Sequence, residues 1–215
     1  MVISVMSREA GQAKTTTVAH IATVLSRRGN TVVIDDDQRK GARSLEKIIT
    51  TKQPRTAYTL DVQQDGESDA KRFERLSKNY HSIILDSEGQ IDDARILELA
   101  GADMVIVPTG LEETDLDAAA EMMQMLQKIG NPKAKIRPPK HKLLFTQVSD
   151  KELYRHAYHE FAVRHKYGVF KTCIPYCPEV AALSTKGLTA FDNVSNDDIQ
   201  AVADAYEAVC EQVIP

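Results

Sequence analysis

The chain has 215 residues, of which 42% are hydrophobic and 27% are charged, a balance typical of one globular domain with a sizeable core. Its net charge of -4 excludes a general electrostatic attraction to nucleic acid or anionic lipid, so such binding would need a local basic patch. Three cysteines are few and odd in number, which favours a reducing cytoplasm over a disulfide framework. The sequence has no basic leader and no apolar run near the roughly 18 residues of a membrane span, so we expect a cytoplasmic protein.

Short β-branched runs alternate with helical patterns along the chain, and this alternation predicts βαβ units. The predicted strands are VISVM (2–6), TVVIDDD (31–37), HSIILDS (81–87), DMVIVPTG (103–110), KLLFTQV (142–148) and VFKTCIPY (169–176). The predicted helices cover residues 15–29, 70–79, 92–101, 115–130, 149–168 and 196–213. We therefore predict a single α/β domain over residues 1–215, with a mainly parallel twisted sheet and helices on both faces.

Polar groups follow three of the predicted strands, at the sheet edge where ligands bind in such folds. The loop SREAGQAKTTT (7–17) follows the first strand, Asp35 to Asp37 end the second, and Asp86 ends the third. The loop resembles a phosphate-binding loop, because its backbone N–H groups and the helix that it opens can cradle a polyphosphate. Lys14 can reach the β- and γ-phosphates, and the Thr15 hydroxyl can bind Mg²⁺ with Asp86 nearby. The alternative is that these are ordinary polar residues at strand ends.

The order and spacing of these motifs resemble the ParA/MinD group of deviant Walker ATPases, including ParA-type plasmid partition proteins and their VirC1-like relatives. The family's loop, x-K-G-G-x-x-K-[ST], aligns with R-E-A-G-Q-A-K-T at 8–15, its D-x-D strand with VVIDDD at 32–37, and its Walker B strand with IILD at 83–86. Two later segments, at 105–115 and 174–192, also resemble the family. The resemblance extends over nearly the whole chain and implies a P-loop NTPase fold.

The resemblance also implies roles for individual residues. Asp37 would position the attacking water, while Asp35 and Asp86 would hold Mg²⁺ through water and Thr15 would bind it directly. The nucleotide-binding set would be Ala10, Gly11, Gln12, Ala13, Lys14, Thr15 and Thr16. The catalytic set would be Asp37, Lys14 and, as a substitute cation, Arg8.

The loop departs from the family pattern at three positions. Ala10 and Ala13 stand where glycine is common, and alanine in a left-handed conformation costs about 1–2 kcal/mol. Glu9 stands where the family has a signature lysine that reaches across a dimer to the partner's nucleotide. A like-charge contact at about 4 Å costs about 4 kcal/mol at an effective dielectric of about 20, so we expect Glu9 to point away from phosphate. Arg8 is a candidate for the vacant cationic role, and the alternative is that Arg8 and Glu9 are solvated loop charges.

The resemblance implies an ATPase that binds ATP and Mg²⁺ in a homodimer, binds DNA non-specifically and works with a ParB-type centromere-binding adaptor. Two basic sets could contact DNA phosphates or could be solvated surface: the segment NPKAKIRPPKHK (131–142), and the set Arg155, Arg164, Lys166 and Lys171. The last helix is acidic, which argues against a membrane-surface role. Two other hypotheses stay open, a nucleotide-dependent switch with little hydrolysis and a different P-loop enzyme such as a small-molecule kinase or ligase.

Overall fold

The computed structural model describes residues 1–9, 11–35, 58–61, 69–87, 101–129, 138–192 and 196–214. Its strands are β1 (Val2–Met6), β2 (Thr31–Asp35), β3 (Tyr58–Asp61), β4 (Ser82–Ser87), β5 (Met104–Thr109) and β6 (His141–Phe145). Its α-helices are α1 (Lys14–Ser26), α2 (Asp69–Asn79), α3 (Glu113–Lys128), α4 (Lys151–His159), α5 (Pro178–Thr185) and α6 (Asp197–Val213). A π-helical turn, Glu160–Arg164, directly continues α4.

The six strands form one sheet in the order β3-β2-β4-β1-β5-β6, and every neighbouring pair is parallel. The predicted α/β fold with a parallel sheet is therefore confirmed. Because all strands run the same way, their carboxyl ends meet at one edge of the sheet. Strand β1 has three strands on one side, β4, β2 and β3, and two on the other, β5 and β6. The loop that follows β1 therefore lies near the middle of this edge.

Apolar residues alternate along the strands and divide the core between the two faces of the sheet. Ile3, Val5 and Ile106 pack on the face that carries α1 and α6. Val105 and Val107 point to the opposite face, where they meet α3 and α4. The strands are buried on both faces, which explains why they read as continuous apolar runs in the sequence. No helix within the described ranges has the length and apolar character that a membrane crossing requires.

The structure corrects the prediction of a sixth strand at VFKTCIPY (169–176). This segment makes only two isolated bridges, Leu143 to Val169 and Val148 to Pro175. Between them the Phe170 and Ile174 N–H groups still donate to carbonyls of β6 at 2.9 Å, but the Lys171 N–H donates to the Gln212 side chain of α6 at 3.0 Å, so the pairing is interrupted. The sheet instead gains β3 at its other edge, a strand that the sequence pattern did not predict.

Two helices differ from the sequence prediction. The continuous helix predicted over 149–168 ends as α4 at His159 and passes into the π-helical turn, where the His165 N–H donates to the Glu160 carbonyl at 3.0 Å. Lys166 then takes a left-handed conformation (φ 56°) and ends the helical run. Helix α5, which begins with a proline at its first turn, was not predicted. The helix predicted over 92–101 lies outside the described residues, except for residue 101.

Candidate functional site at the carboxyl edge of the sheet

The loop after β1 turns sharply and leads directly into helix α1. Gly11 has φ 85°, and Ala13, the residue that caps α1, has φ 57° and ψ 29°. Ala13 therefore stands in the left-handed region, where its methyl group costs about 1–2 kcal/mol relative to glycine. Helix α1 has neither a side-chain cap nor an acidic residue in its first turn, so its N-terminal dipole is left for an external anion. Ala10 lies outside the described residues.

Thr15 and Asp86 meet at the start of α1. The Thr15 hydroxyl donates to the Asp86 carboxylate at 2.9 Å, and Asp86 is fully buried at the end of β4. Strand register sets Asp86 beside Val5 of β1 and beside Asp35 of β2, so the backbones of these three strand ends are neighbours. The three residues that the sequence predicted as metal ligands thus come from adjacent elements, although the side chain of Asp35 lies outside the described part of the structure. Asp37 also lies outside it.

Lys14 and Thr16 occupy the first turn of α1 and are half-buried. The Thr16 carbonyl accepts a hydrogen bond from Nδ1 of the buried His20 at 2.7 Å. The other ring nitrogen of His20 accepts the Ala190 N–H at 3.1 Å, and this contact fixes the neutral tautomer with the proton on Nδ1. Through His20 the backbone of α1 at Thr16 is therefore linked to the segment before α6.

The charged residues at the start of the loop, Arg8 and Glu9, are both exposed, and Arg8 is engaged with another element. The Arg8 guanidinium forms an ion pair with Glu121 of α3, and both side chains are partly exposed. Glu9 is exposed, and its backbone carbonyl accepts the Ser7 hydroxyl at 2.9 Å. In this conformation Arg8 forms an ion pair within its own chain. Its candidate role as a substitute cation would require the ion pair with Glu121 to break.

A cavity of about 340 Å³ adjoins the loop on the side of β5 and β6. Its walls combine acidic, amide and apolar side chains with the backbone of the loop. It is lined by Gly11, Gln12, Gly110, Leu111, Glu112, Asp115, Gln147, Ser149, Asp150, Leu153 and Tyr176. Its volume lies in the range of cavities that bind small molecules and cofactors. Sequence reasoning missed Gln147 and Tyr176, although the position of Gln147 shortly after β6, at the ligand edge, was a usable signal.

Comparison with known proteins gives one family match and several similar solved structures. A family model described as the CobQ/CobB/MinD/ParA nucleotide binding domain matches residues 3–190. A MinD cell division protein from Aquifex aeolicus is similar with a TM-score of 0.72 and 19% identity, over 100% of this chain and 98% of that one. A putative plasmid partition protein from Borrelia burgdorferi bound to AMPPNP is similar with a TM-score of 0.71 and 14% identity, over 98% of each chain.

A septum site-determining protein MinD from Pyrococcus horikoshii, complexed with Mg-ADP, is similar with a TM-score of 0.70 and 14% identity, over 99% of this chain and 95% of that one. At these identities the similarity to solved structures establishes the fold alone. The search of curated proteins found no match.

Proposed function

The chain belongs to the CobQ/CobB/MinD/ParA family of nucleotide-binding domains, and we propose that within this family it is a ParA-like ATPase. In this proposal it binds ATP and Mg²⁺ at the carboxyl edge of the sheet and hydrolyses ATP slowly. The observation that carries the proposal is the contact between the Thr15 hydroxyl and the buried Asp86 carboxylate at the start of α1. This is the arrangement that a Mg²⁺–triphosphate needs: a hydroxyl, a carboxylate and a helix N-terminus within a few ångströms.

The residues present fit a bound Mg²⁺–nucleotide. Thr15 and Asp86 contribute hard oxygen atoms from two different elements, which suits Mg²⁺ because this ion prefers oxygen ligands and retains water. When bound, Mg²⁺ would neutralise charge on the phosphate oxygens. Lys14 would hold the phosphates through its ammonium group, and the amides after Gly11 would surround them. Asp37 remains our candidate for orienting the attacking water, on the strength of the family resemblance.

The cavity beside Gly11 and Gln12 is our candidate for the base and ribose of the nucleotide. It adjoins the phosphate-binding loop directly, and its volume of about 340 Å³ suits a nucleoside. Tyr176, which is 56% exposed, offers an aromatic face at the wall of the cavity, and Gln147 offers amide groups. These side chains could stack on a base and hydrogen-bond to it.

We further propose that the ATP-bound chain forms a homodimer, binds DNA non-specifically and acts in plasmid or DNA partition with a ParB-type centromere-binding adaptor. The similar Borrelia protein is a putative plasmid partition protein, and this title supports the assignment. The surface of α4 and the segment after it supports DNA binding, because Arg155, Lys166 and Lys171 are exposed there. Arg164 contributes less, since it pairs with Glu160 at 2.9 Å. The other basic segment, at 131–142, is described only from residue 138.

A second candidate function is a nucleotide-dependent switch with little or no hydrolysis. The ion pair between Arg8 and Glu121 favours this function, because Arg8 is the cation next to the altered position Glu9 and its guanidinium is already paired. A site without a mobile cation near the transferring phosphoryl group would bind nucleotide well and hydrolyse it poorly.

The test combines an ATP-binding titration with a hydrolysis assay in the presence of Mg²⁺, with and without DNA. Lys14→Ala should weaken ATP binding by about 2–5 kcal/mol, or at least about thirtyfold in Kd, because it removes the charge that pairs with the phosphates. Lys71→Ala, an exposed lysine on α2, is the matched control and should bind ATP like the wild type.

The outcomes separate the candidates. Turnover that disappears in Lys14→Ala supports the ATPase, and retention of the protein on DNA only with ATP supports the partition role. Tight binding without turnover supports the switch. If the wild type binds no nucleotide, the proposed function is wrong.

A further inference from the structure

The side chain of Gln12 connects the phosphate-binding loop to the turn between β5 and α3. Gln12 is only 7% exposed. Its Nε2 donates to the Asp115 carboxylate, and its Oε1 accepts the Gly110 N–H at 2.5 Å. Both ends of the amide are therefore used, and both partners lie about 100 positions further along the chain than Gln12.

The turn between β5 and α3 is shaped to receive this amide. A Cβ at Gly110 would collide with the Asp115 carboxylate and would lie 3.4 Å from Oε1 of Gln12, so a larger residue would push the two apart. Asp115 is itself held in place, since its carbonyl accepts the Thr109 hydroxyl at 3.1 Å. Its position in the first turn of α3 suits a carboxylate because of the helix dipole.

The backbone of the loop is fixed on the same side. The Gly11 carbonyl accepts Nε2 of Gln147 at 2.8 Å, and the Gln12 carbonyl lies 3.5 Å from the Thr146 hydroxyl. In a trans peptide unit the carbonyl and the next N–H point in opposite directions. With both carbonyls turned towards β5 and β6, the N–H groups of Gln12 and Ala13 are turned away from these strands.

We propose that Gln12 is a positioning residue that holds the phosphate-binding loop in its anion-binding conformation by tying it to Gly110 and Asp115. This inference deepens the proposed function and rests on it, because the ligand of the loop is taken to be a nucleotide. Gln12 acts through the backbone: its side chain fixes the direction of the loop amides, and these amides contact phosphate. The turn after β5 is thereby coupled to the phosphate site, so a change in that turn alters phosphate affinity.

The test measures Kd for ATP, ADP and adenosine with four variants. Gln12→Ala removes the tie. Gln12→Glu keeps the acceptor for Gly110 but sets two carboxylates against each other, and the double variant Gln12→Glu/Asp115→Asn restores a donor and an acceptor with the wild-type local charge. Gln200→Ala is the matched control, because Gln200 donates in the same way to Asp204 on the exposed side of α6, far along the chain from the loop.

We expect Gln12→Ala and Gln12→Glu to weaken ATP binding by at least about tenfold, ADP binding by less and adenosine binding least, since the loop amides would contact phosphate and adenosine would meet only the cavity wall beside Gln12. The double variant should recover most of the loss, and Gln200→Ala should bind like the wild type. Amide hydrogen exchange in the loop peptide should be faster in the two single variants at a temperature well below unfolding.

Two results would overturn the inference. One is ATP affinity in Gln12→Ala and Gln12→Glu that equals that of the wild type. The other is an equal loss for ATP and adenosine without rescue in the double variant, which indicates a general loss of structure. If the wild type binds no nucleotide, the proposed function fails instead, and the exchange rate of the loop amides still decides whether Gln12 holds the loop.

Discussion

Replacing Thr15 with valine tests the proposed metal site most directly, because valine is close to threonine in shape and carries a methyl group in place of the hydroxyl. The lost bond is a 2.9 Å contact to a fully buried carboxylate. A hydrogen bond to a charged group contributes about 1.5–3 kcal/mol. Asp86 has a further interaction besides this one, so we expect the lower end, a loss of about 1.5 kcal/mol in the free energy of unfolding without ligand. Valine and threonine have similar helix propensities, so the backbone adds little.

The second consequence of Thr15→Val concerns Mg²⁺. In the wild type we expect ATP to bind more tightly with Mg²⁺ than with EDTA, because the Thr15 hydroxyl and Asp86 favour the metal complex. In Thr15→Val this ratio of affinities should fall towards one, while Thr15→Ser, which keeps the hydroxyl, should preserve it. Urea unfolding measures the first effect, and ATP titrations with Mg²⁺ or with EDTA measure the second. A variant that keeps the wild-type ratio, or a serine variant that loses it as fully as valine, would refute the metal role of Thr15.

Two further predictions follow from backbone strain and from burial. Ala13→Gly should stabilise the fold by about 0.5–1 kcal/mol in urea unfolding, because relief of the left-handed strain outweighs the extra chain entropy of glycine. Burial raises the pKa of the Cys210 thiol from 9.0 to about 12, so the folded state retains this proton to higher pH than the unfolded state does. Stability from Cys210 is therefore complete below pH 9 and is lost as the pH rises towards 12, by up to about 1.4 kcal/mol per pH unit, as unfolding titrations of wild type and Cys210→Ala should reveal.

A specific result would contradict each of these predictions. Unchanged or lower stability of Ala13→Gly would mean that the left-handed conformation carries no cost in this loop. A pH profile between 9 and 12 that is equally steep in Cys210→Ala would assign the loss to other groups, such as Tyr154, whose pKa burial also raises, to about 12.

The family resemblance, inferred from the loop and the acid-ended strands, is confirmed by the family match over residues 3–190. The elements with a strong and continuous apolar pattern, such as β1, β4 and α6, were predicted within one residue of their observed bounds. The segment 169–176 was wrongly predicted as a regular strand, because β-branched and aromatic residues suit any half-buried extended chain; it pairs with the sheet only through isolated bridges, and the Lys171 N–H bonds to Gln212 of α6. The roles of Asp37 and Arg8 remain predictions.

By itself the sequence determined the class of fold and the chemistry of its edge. Alternating apolar periods specify strands and helices, and the residues that end the strands and open α1 supply carboxylate, hydroxyl and ammonium groups. The tertiary structure decided the direct contacts: it joins Thr15 to Asp86, which the sequence had placed only near each other, and it pairs Gln12 with Asp115 and Arg8 with Glu121, which the sequence did not connect. These contacts join residues 71 to 113 positions apart, and local sequence preference carries no information about such pairs. The order of the strands brings them together, and that order is set by packing of the whole core.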